Sequence, residues 1–328
     1  MRAFKIIMIL AIFIPVVQSS ARQEVAGQAQ RALEVTVING TPEGHSVVGD
    51  RVTVRIFRGQ ELVDTLQGEV NARSKAIISN VPQGENLIAR ISCDHDGATF
   101  YGNTDIPLIP SHPLVAPQQV QVFDVVTDTS GLSIIAHHII IRRGENFLRI
   151  GEYMRVENDS FWAIRPEIKP GYEKPAVIEI FLPAGFKNFT AESYFVPQDL
   201  VWMDEGFYDP IPITPGQADI RFSYTLDIKS ADMEINKKFS LPTDDCAVFL
   251  SLPQARPQGL GPLVTTMSRE DGVAYDYYSL GPRQAGDQVK FQLTGFIVKK
   301  SDQTWLIIPL VFIIIIIVAL RRLKTKKS

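Results

Sequence analysis

Strict alternation of apolar and polar residues is the feature that most restricts the fold of this chain. Apolar side chains occupy every second position in Val52–Ile56, Ile220–Ile228 and Val289–Leu293. Successive side chains of a strand point to opposite faces of a sheet, so this period predicts strands with one buried and one solvated face. Turn signals such as Asn39-Gly40 and Pro215-Gly216 separate the alternating segments. The pattern predicts an all-β protein of two or three tandem immunoglobulin-like β-sandwiches.

The N-terminal end carries a short apolar run. Two basic residues precede Ile6–Val17, and small residues follow it up to Ala21. This layout predicts a secretory signal peptide over residues 1–21, with cleavage after Ala21. An uncleaved membrane anchor is the alternative. Residues 22–31 are polar and small, and are predicted to form a flexible leader.

The C-terminal end carries a second apolar run. Trp305–Leu320 is uncharged, and a helix of its 16 residues covers about 24 Å. The hydrocarbon core measures about 30 Å, and snorkelling arginines close the gap. We therefore predict a transmembrane helix over 305–323, with the bilayer as its partner. The basic tail 324–328 lies in the cytoplasm by the positive-inside rule, which places the rest in the periplasm or outside the cell.

Charge is distributed unevenly along the chain. Seven of the 33 basic residues lie at the two ends, which leaves 26 against 36 acidic residues. The central region thus carries an excess of ten negative charges. Such a region has no electrostatic attraction for phosphate backbones, so the sequence argues against nucleic acid as a partner.

A proline-rich stretch divides the central region. Four prolines fall within 107–119, and this density suits a semi-rigid linker better than a helix or a central strand. The predicted units are a sandwich over 32–106 and a second sandwich region over 120–298. The second region is long for one sandwich, so either an insertion around 184–210 or two smaller units is expected.

A spaced set of segments carries a family resemblance. The segments are an opening strand, a Gly/Pro-rich stretch, a V-x-V strand, a turn and a further strand: Leu33–Val37, Gly40–Gly49, Val52–Phe57, Asn80–Gly84 and Leu87–Ile91. This order resembles the carboxypeptidase regulatory-like, or prealbumin-like, sandwich family. Gly84 is expected to take the left-handed conformation. The usual T-D-x-x-G turn is replaced at Val70–Lys75. The whole layout is similar to bacterial envelope proteins with a C-terminal anchor, and it implies a binding or structural module.

One loop mixes aromatic and acidic side chains. It contains Trp202, Asp204, Glu205, Phe207 and Tyr208. Exposed aromatic rings beside carboxylates suit a protein or glycan contact, so these residues are the candidate partner contact. The alternative is that Trp202 and Phe207 cap a sandwich core.

Cysteine and histidine offer few sites. Export would permit a disulfide between Cys93 and Cys246, and two separate buried thiols are the alternative. His137 and His138 are adjacent, so on a strand they point to opposite faces and cannot bind one metal together. The cluster Cys93–Asp96 mixes soft and hard donors, but it also reads as a strand end entering a polar turn. We predict no metal, cofactor or catalytic residue.

These observations predict a membrane-anchored binding or scaffold protein of the cell envelope, without catalysis. The first alternative is a metal-handling protein or membrane-tethered enzyme that uses His137, His138 or Cys93–Asp96. The second alternative is an accessory subunit of a membrane complex.

Overall fold

The structure, a computed structural model, describes residues 31–102, 105–109, 118–253, 255–268 and 272–297. All regular elements in these ranges are strands. The first eight are β1 (Arg31–Asn39), β2 (Arg51–Arg58), β3 (Glu61–Glu69), β4 (Lys75–Val81), β5 (Leu87–His95), β6 (Ala98–Tyr101), β7 (Ile106–Pro107) and β8 (Gln118–Val122). The next eight are β9 (Val125–Val126), β10 (Leu132–Arg143), β11 (Phe147–Asn158), β12 (Ala163–Ile164), β13 (Ile178–Phe181), β14 (Phe186–Ser193), β15 (Val201–Met203) and β16 (Gly206–Asp209). The last seven are β17 (Gly216–Asp227), β18 (Asp232–Lys238), β19 (Cys246–Ser251), β20 (Arg256–Gln258), β21 (Thr265–Ser268), β22 (Ala274–Ser279) and β23 (Gln288–Thr294).

The first unit is a β-sandwich. One sheet has the order β3-β2-β5-β6, with β7 also paired to β5, and the other has the order β4-β1-β8. The alternating side chains Val52, Val54 and Ile56 are fully buried between them. The apolar core of this unit runs from Leu33 to Phe123 and also includes Ala163 of β12. It passes the predicted boundary at residue 106 because β8 pairs in parallel with β1.

The second unit has one continuous apolar core, from Leu132 to Phe296. A seven-stranded sheet, β14-β17-β11-β10-β19-β22-β21, forms one layer. Two three-stranded sheets, β13-β16-β15 and β18-β23-β20, form the other. Phe207 of β16 contacts Phe222 of β17 across the layers, with ring centroids 5.9 Å apart. Burial of each such ring contributes about 1.5–3 kcal/mol.

A short segment around β9 (Val125–Val126), which we call the crossing segment, connects the two units. β9 pairs in parallel with β12, and the backbone N–H of Val125 donates to Asp96 Oδ2 at 2.7 Å. The hydroxyl of Thr41 donates to the carbonyl oxygen of Phe161 at 3.3 Å. Elements of both units therefore hold the crossing in place.

The alternating segments of the sequence analysis are strands, as predicted. They fall in β2, β17 and β23. The prediction for Gly84 is wrong, because the left-handed residues at this turn are Asn80 and Asn86, with φ of 63° and 62°. Asparagine tolerates this conformation, since its short side chain can bond locally.

The predicted fold class requires a correction. It joined β-sandwiches to a C-terminal transmembrane helix, whereas every regular element in the described residues is a strand. No helix long and apolar enough to cross a membrane is found there. The segments predicted as signal peptide, transmembrane helix and basic tail, 1–21, 305–323 and 324–328, lie outside the described residues, as does nearly all of the leader 22–31.

Candidate binding cleft

A cleft of about 560 Å³ lies in the second unit. Its walls are the end of β13 with the following turn, the hairpin between β15 and β16, the end of β17 with the connection that follows it, and β18. Five carboxylate side chains line it: Asp204, Glu205, Asp227, Asp232 and Glu234. We call it the acidic cleft. Lys229 and Lys238 also line it, so its described lining carries a net charge of about −3.

Glycine fixes the hairpin that presents two of these acids. Asp204 and Glu205 form the turn, and the backbone N–H of Leu182 donates to the carbonyl oxygen of Glu205 at 2.9 Å. Gly206 follows with φ of 141°, and a Cβ atom there would lie 1.9 Å from the carbonyl oxygen of Ile180. Only glycine permits this close approach of two backbones. The side chains of Asp204 and Glu205 are thereby held at the exposed rim.

Two contacts set the charge balance within the acidic cleft. Lys187 Nζ donates to Asp227 Oδ2 at 2.7 Å, and this hydrogen bond lowers the pKa of Asp227. Lys238 Nζ lies 4.1 Å from the centroid of the Phe181 ring, a cation–π contact. Glu205 and Glu234 make no ion pair among the residues that the structure describes. Their charges are therefore available to a ligand.

The structure separates the five predicted contact residues. Asp204 and Glu205 are exposed in the acidic cleft. Trp202 is 48% exposed and stacks on Phe186, with centroids 5.9 Å and planes 14° apart. Phe207 and Tyr208 are wrongly predicted as contacts, because both are buried in the core.

The two cysteines lie apart, one in each core. Cys93 and Cys246 are free and buried, so the disulfide is not formed in this structure. Burial raises the pKa of both thiols to about 12. They behave as small apolar side chains.

The two adjacent histidines face different surroundings. His137 is buried, and its Nε2 lies 2.9 Å from Glu152 Oε2. His138 is half-buried against Tyr153 and Phe249. Desolvation lowers the pKa of both histidines. Neither joins a metal-ligand set, since no group of three His, Cys, Asp or Glu side chains suited to a metal ion occurs in the described part of the chain.

The cluster Cys93–Asp96 likewise contributes to no such group among the described residues. His95 is buried between two carboxylates, with Nδ1 2.7 Å from Asp50 Oδ2 and Nε2 3.0 Å from Asp124 Oδ1. Asn39 Nδ2 also donates to Asp124 Oδ1 at 2.6 Å. This network ties the ends of β1 and β5 to the crossing segment, which gives His95 a structural role.

Sequence reasoning missed a buried ionic network. Lys237 Nζ donates to Glu152 Oε2 at 2.6 Å, and Tyr224 Oη donates to Glu152 Oε1 at 3.0 Å. His137 completes the set around Glu152. The sequence did contain a sign of this network, since Glu152 and Lys237 occupy positions in β11 and β18 where the alternation places apolar residues. A charge on the buried face of a strand requires a partner inside.

Comparisons with known proteins give little. No family model and no curated protein matches the chain. Two structures of an M1 zinc metallopeptidase from Deinococcus radiodurans are similar at 15% identity and a TM-score of 0.30, covering 50% and 49% of this chain. This chain spans 42% of the length of each metallopeptidase chain. The full-length major pilin SpaD from Corynebacterium diphtheriae is similar at 9% identity and a TM-score of 0.20, covering 81% of this chain and 82% of its own. These values carry no argument about function.

Proposed function

We propose that this chain is a non-catalytic binding or scaffold protein of the cell envelope. Its acidic cleft holds a basic segment of a partner protein. The observation that carries the proposal is a cleft of about 560 Å³ with five carboxylates and two lysines in its lining. Ligand sites commonly fall within about 300–1,000 Å³. A cleft with one predominant charge also raises the association rate of an oppositely charged partner.

The charge of the acidic cleft favours a basic protein segment over a neutral glycan. A glycan site commonly has an exposed aromatic face beside its hydrogen-bonding groups. Trp202, the exposed ring of the predicted contact loop, lies outside the cleft lining and already stacks on Phe186. Carboxylates that lack an ion-pair partner instead match the ammonium and guanidinium groups of lysine and arginine.

Two further parts of the proposal rest on sequence. We assign the first unit to the carboxypeptidase regulatory-like sandwiches; its two packed sheets support this, with the predicted strands in β1, β2 and β5. We also propose that the chain is exported through its first 21 residues. N-terminal sequencing of the mature protein should then begin at Arg22, and a sequence that begins at Met1 would reject cleavage.

The binding proposal is tested with a fluorescent peptide of alternating lysine and glycine. The purified full chain is titrated into the peptide, and the fluorescence anisotropy of the peptide is measured at low and at high salt. The double variant Glu205→Lys/Glu234→Lys should bind at least roughly tenfold more weakly, since two attractive charges become repulsive. Salt should weaken binding to the native chain, because exposed charges are screened.

A matched control variant is Glu61→Lys/Glu69→Lys. Both residues are exposed on β3 of the first unit, and the net charge changes by the same amount. This control should bind the peptide as the native chain does. Equal loss in both variants would show that only net charge matters, and would reject the acidic cleft as the site.

A further inference from the structure

A second cleft, of about 190 Å³, lies between the two units. The hairpin of β5 and β6 forms one wall through residues 97–99 and Tyr101. The other wall comes from the second unit and includes Arg165, Lys174 and Asp199. We call it the junction cleft. Nothing in the acidic cleft contributes to it.

Hydrogen bonds hold both walls of the junction cleft. The hairpin tip is fixed because Asp96 Oδ2 accepts the backbone N–H of Val125 at 2.7 Å. The backbone N–H of Arg165 donates to the carbonyl oxygen of Val126 at 2.9 Å. The backbone N–H of Lys174 donates to the hydroxyl oxygen of the buried Tyr208 at 3.3 Å. A cleft with fixed walls loses little entropy when a ligand binds.

The lining of the junction cleft is rich in donors. Arg165 and Lys174 make no side-chain ion pair with any described residue. Burial raises the pKa of Tyr101, and the charge of Asp199 adds to the rise, so this hydroxyl remains a donor at neutral pH. Asp199 is the single acid in the described lining. The net charge is therefore about +1.

We propose that the junction cleft binds a small oxyanion, a carboxylate or a phosphate group. Arg165 offers a planar fork that bonds two oxygens at once. Lys174 supplies a second cation, and Tyr101 supplies a hydroxyl donor from the first unit. The cavity is below the roughly 300 Å³ of common small-molecule sites. It suits a free anion or the anionic end of a longer ligand.

This proposal is tested by isothermal titration of the purified full chain with sodium phosphate and with sodium acetate. Sodium chloride of equal ionic strength is the reference in each case. One of the two oxyanions should give saturable binding at one site. Preference for phosphate or for acetate identifies the anion class. Heat that is non-saturable, or equal to that of chloride, for both anions would overturn the proposal.

Variants locate the site. Arg165→Gln/Lys174→Gln should weaken binding at least roughly tenfold, and Tyr101→Phe, which removes one hydroxyl without changing the packing, should weaken it a few-fold. The matched control Arg149→Gln/Lys290→Gln removes one exposed arginine and one exposed lysine of the second unit and should leave binding unchanged. Equal weakening in the control, or full binding in both Arg165→Gln/Lys174→Gln and Tyr101→Phe, would overturn the proposal.

Discussion

Replacement of Lys237 by methionine should destabilise the second unit, because the buried carboxylate of Glu152 loses its positively charged partner. The Lys237 side chain is 5% exposed and Glu152 is fully buried. Lys237 Nζ bonds Glu152 Oε2 at 2.6 Å and the carbonyl oxygen of Phe181 at 3.2 Å. Methionine has a similar shape, so the packing is largely kept while the positive charge is lost.

The size of the expected loss in unfolding free energy follows from the buried carboxylate of Glu152. Breaking a buried pair by removing one partner costs about 3–5 kcal/mol. Domains unfold with a free energy of about 5–15 kcal/mol, so Lys237→Met removes a large fraction. For a unit of this size, the loss corresponds to a fall in Tm of roughly 6–20 °C.

The pKa of Glu152 determines how the stability deficit of Lys237→Met varies with pH. Burial alone raises the pKa of Glu152, but the charge of Lys237 and the hydrogen bond with His137 outweigh it and hold the pKa at about 2. The native pair therefore stabilises the fold above the unfolded pKa, and this contribution is lost as pH falls towards 2. Without Lys237, burial favours the protonated carboxyl. The deficit of the variant should be largest near neutral pH and should shrink on acidification.

Urea unfolding of the full chain, followed by circular dichroism at several pH values, measures this deficit. Lys290→Met, an exposed lysine of β23, is the control and should cost less than about 0.5 kcal/mol. The double variant Glu152→Gln/Lys237→Met removes both charges and should recover much of the loss. A deficit below about 1 kcal/mol, or one independent of pH, would refute the reasoning.

Three more predictions concern other residues. Gly206→Ala should destabilise the protein by more than about 1 kcal/mol in urea unfolding, because φ is positive and the new Cβ would meet the carbonyl oxygen of Ile180; an unchanged midpoint would contradict the hairpin geometry. Burial raises the pKa of Asp209 to about 6, so the carboxyl destabilises the fold as pH rises through that value. Asp209→Asn should thus raise Tm at pH 8 and have little effect near pH 4, and a gain that did not depend on pH would contradict this. Cys93 and Cys246 should react with a thiol reagent only after denaturation, and two reactive thiols should then be counted without reductant. No reactive thiol after denaturation would indicate a disulfide.

Much of the strand pattern could be read from the sequence. Alternation works where a strand has one buried and one solvated face, as in β2 and β23. It fails for Phe207 and Tyr208, because all four residues of β16 are buried. This strand lies between β13 and β15 and is covered on both sides. Composition alone cannot distinguish such a strand from an exposed aromatic loop.

The acidic cleft could be predicted only in part. Asp204 and Glu205 were identified by their place in a loop. The other three acids lie on strands: Asp227 ends β17, which pairs with β14, and Asp232 and Glu234 lie on β18, which pairs with β23. Such pairings join residues far apart in sequence. Local periodicity carries no information about which distant turns meet, and the junction cleft was missed for the same reason.

The ionic network around Glu152 has a consequence for how the sheets find their alignment. Glu152 lies on β11 opposite Ile139 of β10 and Phe222 of β17. A slip of one residue along either neighbour would turn a whole set of side chains to the other face. Glu152 would then lose its counter-charge, and Lys237 would be stranded in an apolar interior. The network therefore favours the correct alignment of the sheets, because a misaligned sheet would be destabilised by a buried charge without its partner.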